Sequence, residues 1–329
     1  MAELVSPSGI LPRIPDDLTL AQFVLDAEHV RRPVRKNGAW IIDDQSGRKI
    51  GLEELRARTY GLANALSIRY SILLIYSPNH IDYLVATWAA HRLGAAVSGA
   101  NPLFTVDELV YQISTVKAAV IITHPDSLKV ALSSAHAAGV SADRIILFDV
   151  EDADTAQKLT VQALVSQGLA SAPNFTERKL APGEGKTKVA FLNFSSGTTG
   201  RPKAVAIPHY SPIANVIQLA THHKVGEEYA GQRFKPGDVC CAVLPLYHIY
   251  GLVFNAHFAL FCGMTVVLTA KYNFLDFLKS ITRHHITHLM LVPPQLVQLC
   301  KHPAVKSCDF SHVRYVTSGA APLSREVME

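Results

Sequence analysis

Residues Phe191 to His209 read FLNFSSGTTGRPKAVAIPH, a stretch that concentrates hydroxyls, glycines and positive charge. An apolar run, Val189 to Phe194, leads into Ser195, Ser196, Gly197, Thr198, Thr199 and Gly200, and then into Arg201, Pro202 and Lys203. The two glycines let the backbone turn sharply and bring its amides close to a ligand. Four hydroxyls add donors, and Arg201 and Lys203 add charge. Converging donors of this kind after a strand suit a polyphosphate. The loop is not a Walker loop, which needs Gly and Lys adjacent ahead of Ser or Thr; here Gly200 and Lys203 stand three apart and Ala204 follows. A Ser/Thr/Gly surface turn has a similar composition, but the order of residues and the flanking apolar runs favour the phosphate reading.

Three other groups of residues could take part in chemistry. His248 and Tyr250, in LPLYHIYG (244–251), lie at the mouth of an apolar segment where a carboxylate and its tail could sit; a packed histidine at a strand end is the alternative. Gly319, Ala320 and Ala321, in SGAAPL (318–323), are small residues in a turn after a strand, with room for a flat ring; an ordinary tight turn would look the same. His284, His285 and His288 tempt a metal reading, because His284 and His288 would share one helix face. A helix running into the strand THLMLV explains them without a metal, so no metal site is expected.

Taken together, SSGTTGRPK (195–203) resembles the phosphate-binding signature of the adenylate-forming, or AMP-binding, superfamily: acyl-CoA synthetases, 4-coumarate–CoA ligase-like enzymes and luciferases. LPLYHIYG, LVPPQL (291–296) and SGAAPL resemble further motifs of that superfamily in the same order, and residues 77–113 resemble its early helix–strand stretch. The resemblance covers nearly the whole chain. It implies an acyl-CoA ligase type of activity, an AMP-forming acid–thiol ligation. The acid and ATP give acyl-AMP and pyrophosphate, and the acyl group then passes to coenzyme A. ATP, Mg²⁺ and coenzyme A are the implied cofactors. The implied partner is a carboxylic acid, aromatic or medium-chain by the 4-coumarate-ligase-like spacing.

Adenylation is an in-line attack of a carboxylate on the α-phosphorus, so the protein must stabilise charge on the leaving phosphates and position the nucleophile. The resemblance gives Ser195, Ser196, Gly197, Thr198, Thr199, Gly200 and Lys203 the phosphates, and Ser318, Gly319, Ala320, Ala321 and Pro322 the adenine. His248, Tyr250 and Phe254 would border the acyl pocket. The chain departs from the pattern at Ala204 and Pro208, where Gly and Thr are usual, and at Phe254, where hydroxycinnamate users often carry a small residue. Between Leu66 and Leu73 it reads SIRYSI, without the Gly- and Asp-containing loop of relatives. The superfamily's Mg²⁺-binding Glu, its ribose-binding Asp, and the small C-terminal lid domain with its catalytic Lys would all follow Glu329. A truncated form impaired in full turnover is therefore expected. The alternatives are an inactive nucleotide- or acid-binding remnant, or a subunit that borrows its missing half from a partner.

With 329 residues, 49% hydrophobic and 18% charged, the chain can bury a sizeable core. A net charge of +4 without a dense basic stripe argues against nucleic acid. Five cysteines with no C-x-x-C spacing fit a reducing compartment. The expectation is cytoplasmic, or peroxisomal if a longer form ends in the appropriate tripeptide. No feature of the sequence specifies an oligomeric state. Val239 to Ala270 carries no charge for 32 residues, but Pro245, His248, Asn255, His257 and Gly263 interrupt it and its pattern changes partway, so no membrane span is expected.

These residues must be positioned by alternating elements. A hairpin is expected around Ala39–Ile50 and a helix over Leu52–Leu66. Strands are expected at Leu73–Tyr76, Ala95–Ser98, Ala119–Thr123 and Arg144–Phe148, interleaved with helices at Asp82–Leu93, Val106–Val116 and Ser127–Ala138. Residues 167–187, rich in Ser, Pro, Gly and Lys, read as a linker. Beyond it come the strand before Ser195, a helix at Pro212–Ala220, a strand at Cys240–Leu244, a helix at Ile249–Phe261 and a strand at Met264–Leu268. A helix at Leu275–His285, a strand at Thr287–Val292, a helix at Gln295–Lys301 and a strand at Tyr315–Thr317 follow. The fold class is α/β, with layered, parallel-rich sheets flanked by helices as in the large N-terminal domain of adenylate-forming enzymes, here incomplete. Two subdomains are expected, 1–185 and 186–329, the second carrying the phosphate loop.

Overall fold

A computed structural model of the chain describes residues 9–35, 37–67, 71–150, 158–195, 201–229 and 231–328. Its strands in chain order are β1 (Ile41–Asp43), β2 (Lys49–Ile50), β3 (Ile72–Tyr76), β4 (Ala96–Ala100), β5 (Val120–Thr123) and β6 (Ile145–Leu147), followed by β7 (Val189–Ser195), β8 (Lys203–Pro208), β9 (Val239–Ala242), β10 (Thr265–Leu268), β11 (His288–Leu291) and β12 (Tyr315–Ser318). They form two six-stranded sheets, ordered β6-β5-β3-β4-β7-β8 and β12-β11-β9-β10-β1-β2. In each sheet the neighbours run parallel except at one end, where β7–β8 and β1–β2 are antiparallel. Strands such as VIIT in β5 and TVVL in β10 are buried throughout, as expected of parallel strands covered by helices on both faces.

Compactness groups the chain into two interleaved units rather than as 1–185 and 186–329. One unit joins Ile14–Ala27 to Leu52–Ala214, and the other joins Met1–Arg13 and Glu28–Gly51 to Asn215–Glu329. The physical reason is strand pairing. β7 adds to β4 with Val97 opposite Phe191, so the strand that leads into the candidate phosphate loop belongs with the first sheet. β1 pairs along β10, Ile41 opposite Val266, which carries the early hairpin into the second.

Within the first unit, helices Leu52–Leu66 and Val106–Val116 have the bounds expected from sequence, and Tyr83–Arg92 and Leu128–Ala137 start one residue later and end one sooner. Two helices were not anticipated. Leu20–Leu25 is short and entirely buried, held by a Thr19/Gln22 capping box. Val161–Ala170 crosses Leu52–Leu66 so closely that a Cβ on Gly168 would lie 1.8 Å from the carbonyl oxygen of Gly61. Asn64 secures the crossing by donating to the Gly168 carbonyl at 2.8 Å.

The stretch 167–187 is not a linker between units. Its first residues finish the Val161–Ala170 helix, and the rest is tied down within the first unit. Glu177 accepts from Arg92 (2.6 Å) and Gln22 (3.1 Å), the amide of Arg178 donates to the Arg92 carbonyl at 2.7 Å, and Leu180 is buried. Composition alone cannot reveal those long-range partners.

In the second unit the uncharged stretch Val239–Ala270 is β9, a helix and β10, buried over most of its length. Among the described residues no helix is long and apolar enough to cross a membrane. The expected helix at Ile249–Phe261 winds as a π-helix over Gly251–Phe258 and continues as one α-turn, Ala259–Phe261. π-Geometry is uncommon and concentrates at functional sites.

Candidate functional site

The phosphate-loop candidates sit on a hairpin of the first unit. β7 and β8 pair antiparallel from Val189 opposite Pro208 to Ser195 opposite Lys203. Ser195 thus ends one limb and the exposed Lys203 begins the other. Ser196, Gly197, Thr198, Thr199 and Gly200 lie outside the described residues. Ala204, the departure after Lys203, pairs with Phe194. Pro208, the second departure, closes the strand on the sheet's outer edge, where a missing N–H is tolerated. The next residue, His209, is fully buried, and its Nδ1 accepts the amide of Leu20 at 3.0 Å, tying the end of the hairpin to the Leu20–Leu25 helix. Burial, with a smaller push from Lys188, lowers its pKa to about 4.

Sequence reasoning missed Tyr111, on the Val106–Val116 helix. Its hydroxyl donates to the Pro202 carbonyl at 2.9 Å. The Arg201 guanidinium lies over its ring at 5.3 Å, and Phe194 meets it edge-on at 6.2 Å. A lone tyrosine on an amphipathic helix carries no local signal of this.

The remaining candidates lie in the second unit. The Tyr250 amide donates to His248 Nδ1 at 3.2 Å, so the neutral imidazole carries its proton on Nε2, as a donor. His248 is exposed at the entrance to the π-helix. Tyr250, Phe254 and Phe258, spaced by four, stack in sequence, with centroids 5.6 Å and then 5.3 Å apart and planes inclined by 19° and 7°. The stack rests on buried Phe234, edge-on to Phe258 at 5.0 Å. Burial, with a smaller contribution from Tyr315, raises the Tyr250 pKa, so its phenol stays neutral.

The SGAAPL turn meets that stack. A Cβ on Gly319 would lie 2.7 Å from Tyr250 Cζ and 2.8 Å from its oxygen. Any side chain at this position would force the ring or the turn to shift. The Gly319 amide donates to the Leu291 carbonyl at 3.2 Å, Ala320 adopts a left-handed φ of 68°, and Ala321 and Pro322 are exposed. Ser318 closes β12, and among the described residues its Oγ has no hydrogen-bond partner. Two groups of candidates far apart in sequence, Tyr250 with Phe254 and the turn at Gly319, are therefore in contact.

The three histidines go to separate partners. His284 Nε2 lies 3.0 Å from Asp44, which also accepts from Ser280 and Arg283. Burial opposes ionisation of Asp44, but the bonds from His284, Ser280 and Arg283 together bring its pKa down to about 2. His285 bonds His312 at 2.7 Å, and His288 bonds Thr287 and the Arg233 carbonyl. Among the described residues no three His, Cys, Asp or Glu side chains gather as a metal site. All five cysteines are free thiols, and burial pushes Cys241 up to about 12, which makes it inert. A groove of about 530 Å³, lined by Leu275, Leu278, Thr282, Ala304 and Cys308, holds none of the residues singled out from sequence.

Comparison with known proteins agrees with this architecture. The chain matches the family of AMP-binding enzymes over residues 29–329. It is similar to 4-coumarate–CoA ligase 5 of Oryza sativa subsp. japonica, 31% identical over 96% of this chain and 55% of that protein. It is also similar to 4-coumarate–CoA ligase-like 4 of the same organism, 33% identical over 88% and 51%. The chain spans about half the length of these curated relatives. Among solved structures it resembles a red-emitting luciferase from Phrixothrix hirtus (TM-score 0.74, 23% identity, 96% of this chain and 59% of that one). It also resembles an anthranilate–CoA ligase in complex with anthranoyl-AMP (TM-score 0.78, 19% identity, 95% and 57%). By its family match and its two parallel-rich sheets, the chain belongs to the AMP-binding enzymes and has the fold of the adenylate-forming superfamily.

Proposed function

We propose that this chain carries the carboxylate-activating part of an acyl-CoA ligase, joining an acid to ATP to give acyl-AMP and pyrophosphate. In a complete ligase the acyl group would then pass to coenzyme A. The observation that supports this most is the contact between Tyr250 and Gly319. An acyl adenylate joins an acyl group to adenosine through a single phosphate, so its acyl and adenine sites must lie a ribose and a phosphate apart in one cleft, and here the candidates for the two are neighbours.

On this reading Ser195, Ser196, Thr198 and Thr199, the amides of Gly197 and Gly200, and Lys203 hold the β and γ phosphates and offset the charge that develops as pyrophosphate leaves. The turn Ser318–Pro322 takes the adenine; Gly319, having no side chain, leaves room for a ring. His248, through Nε2–H, and Tyr250, as a neutral phenol, orient the carboxylate. Phe254 offers its face to the acyl tail, which favours aromatic or medium-chain acids. Mg²⁺ would travel with the phosphates of ATP, and no protein side chain is assigned to it or to coenzyme A.

The test is acid-dependent ATP–pyrophosphate exchange by the purified chain with a panel of aryl and medium-chain acids. Exchange above the background of a Lys203→Ala variant supports the proposal, and the preferred acid names the substrate class. A folded chain without exchange that still binds Mg·ATP in calorimetry is a binding form without turnover and refutes the catalytic reading.

A further inference from the structure

We infer that Tyr111 is a positioning residue for the β7–β8 hairpin: its side chain clasps both limbs and sets where the returning limb presents Lys203. The inference rests on the proposed function in taking phosphate as the loop's ligand, while the clasp itself rests on contacts alone.

The backbone ladder of the hairpin stops at the pair Ser195–Lys203. Among the described residues, Arg201 and Pro202 of the returning limb lie outside the strand. Pro202 has no N–H to offer, so its carbonyl is its one backbone handle, and Tyr111 Oη donates to that carbonyl. The same ring carries the Arg201 guanidinium on its face and meets Phe194 of the other limb with its edge. One side chain thus touches both sides of the loop. Contacts of these types are each modest, but they act together on Phe194, Arg201 and Pro202.

A clasp works only if its base is rigid. Glu108 and Thr105 form a capping box that starts the Val106–Val116 helix, and Leu109, Ile113 and Val116 are buried beneath it. Gln112, next to Tyr111 and almost fully buried, fixes the rotation of the helix. Its amide donates to Ser98 Oγ at 2.9 Å and to the Gly99 carbonyl at 3.0 Å, and Ser98 Oγ donates onward to the Leu192 carbonyl at 2.8 Å. The helix is thereby locked to β4, and β4 to β7, with Tyr111 held over the hairpin they support. Movement of the ring would release Arg201 and Pro202, and with them the approach to Lys203. Displacements of about an ångström at a site that must align phosphates are enough to slow a reaction.

The test compares the full chain with Tyr111→Phe, which keeps the ring and loses only the hydroxyl, and Tyr111→Ala. Trypsin cleaves after Lys203 but not after Arg201, which precedes a proline, so appearance of the Lys203–Ala204 cut reports opening of the returning limb. Without nucleotide, cleavage should be about fivefold faster in Tyr111→Phe and more than tenfold faster in Tyr111→Ala. The melting temperature should be unchanged in the Phe variant. The Kd for Mg·ATP should weaken in the same order, while the affinity for the carboxylic acid stays at the wild-type value, a split that general loss of structure would not produce. Cleavage of the Phe variant at the wild-type rate would overturn the inference, and the Phe variant decides even if the Ala variant does not fold. Failure of the wild-type chain to bind Mg·ATP would instead count against the proposed function, leaving the cleavage rates to judge the clasp.

Discussion

The contact between Gly319 and Tyr250 makes a single methyl group a sharp probe of the proposed site. In Gly319→Ala the new Cβ would meet Tyr250 Cζ at 2.7 Å, Oη at 2.8 Å and Cε1 at 3.0 Å. Comfortable carbon–carbon contact needs about 3.5–4.0 Å, so the ring or the turn must give way by roughly an ångström. The ring has little room to retreat. It is stacked on Phe254, Phe254 is stacked on Phe258, and Phe258 is fully buried. Overpacking of this kind costs about 1–3 kcal/mol, which for a unit of this size corresponds to a fall in Tm of several degrees. A ring or turn that shifts by an ångström also misplaces the junction of acyl and adenine sites, so kcat/KM for pyrophosphate exchange should fall about 10- to 100-fold. The assay is a double-mutant cycle of Gly319→Ala and Tyr250→Ala, read by Tm and by exchange. Removing the ring should relieve the clash, making the alanine at 319 nearly neutral for stability in the Tyr250→Ala background. If Gly319→Ala costs as much stability with the ring as without it, the reasoning is refuted.

Lys203→Ala should raise the KM for ATP in exchange by tenfold or more, because a charge-assisted contact to phosphate is lost; an unchanged KM places Lys203 outside the site. Gly168→Ala should destabilise the first unit by more than about 3 kcal/mol, since its Cβ would lie 1.8 Å from the Gly61 carbonyl oxygen in a helix crossing that cannot open without exposing its core. A denaturation midpoint equal to that of wild type would contradict the crossing. Acid should weaken the fold in two steps. His209 and His257 are both fully buried with pKa values lowered to about 4, chiefly by burial. The unfolded chain therefore binds protons first, and stability that is complete above pH 6.5 is lost as pH falls towards 4, by about 3 kcal/mol per histidine. Asp44, with its pKa near 2, adds a second loss as pH falls from about 4 to 2. Urea titrations at a series of pH values check this, and His257→Gln should flatten the upper step.

Most secondary structure was legible in the sequence. Continuous apolar runs such as ILLIY and helical spacing such as that of Val106–Val116 report local burial, and burial by an adjacent layer leaves that imprint whatever the layer is. The failures were equally physical. Leu20–Leu25 is too short to show a period, 167–187 has the composition of a linker but long-range partners, and a π-helix has nearly the same apolar pattern as an α-helix. At the site, residue types and order singled out the candidate phosphate loop, the His248–Tyr250 entrance and the small-residue turn as proposals, because each motif is contiguous along the chain. Tyr111, Asp44 and His209 carried no such signal. Their roles lie in partners scores to hundreds of residues distant: Pro202 for Tyr111, His284 for Asp44, Leu20 for His209.

The sequence by itself thus determined the alternation of strands and helices and which residues have the chemistry for polyphosphate. The tertiary structure decided which strands became neighbours, carrying β7 to β4 and β1 to β10, and which motifs touch, setting Tyr250 against Gly319. Local pattern records whether a residue is buried. Pairing between distant strands depends on docking geometry and close backbone approach, which a one-dimensional pattern does not carry.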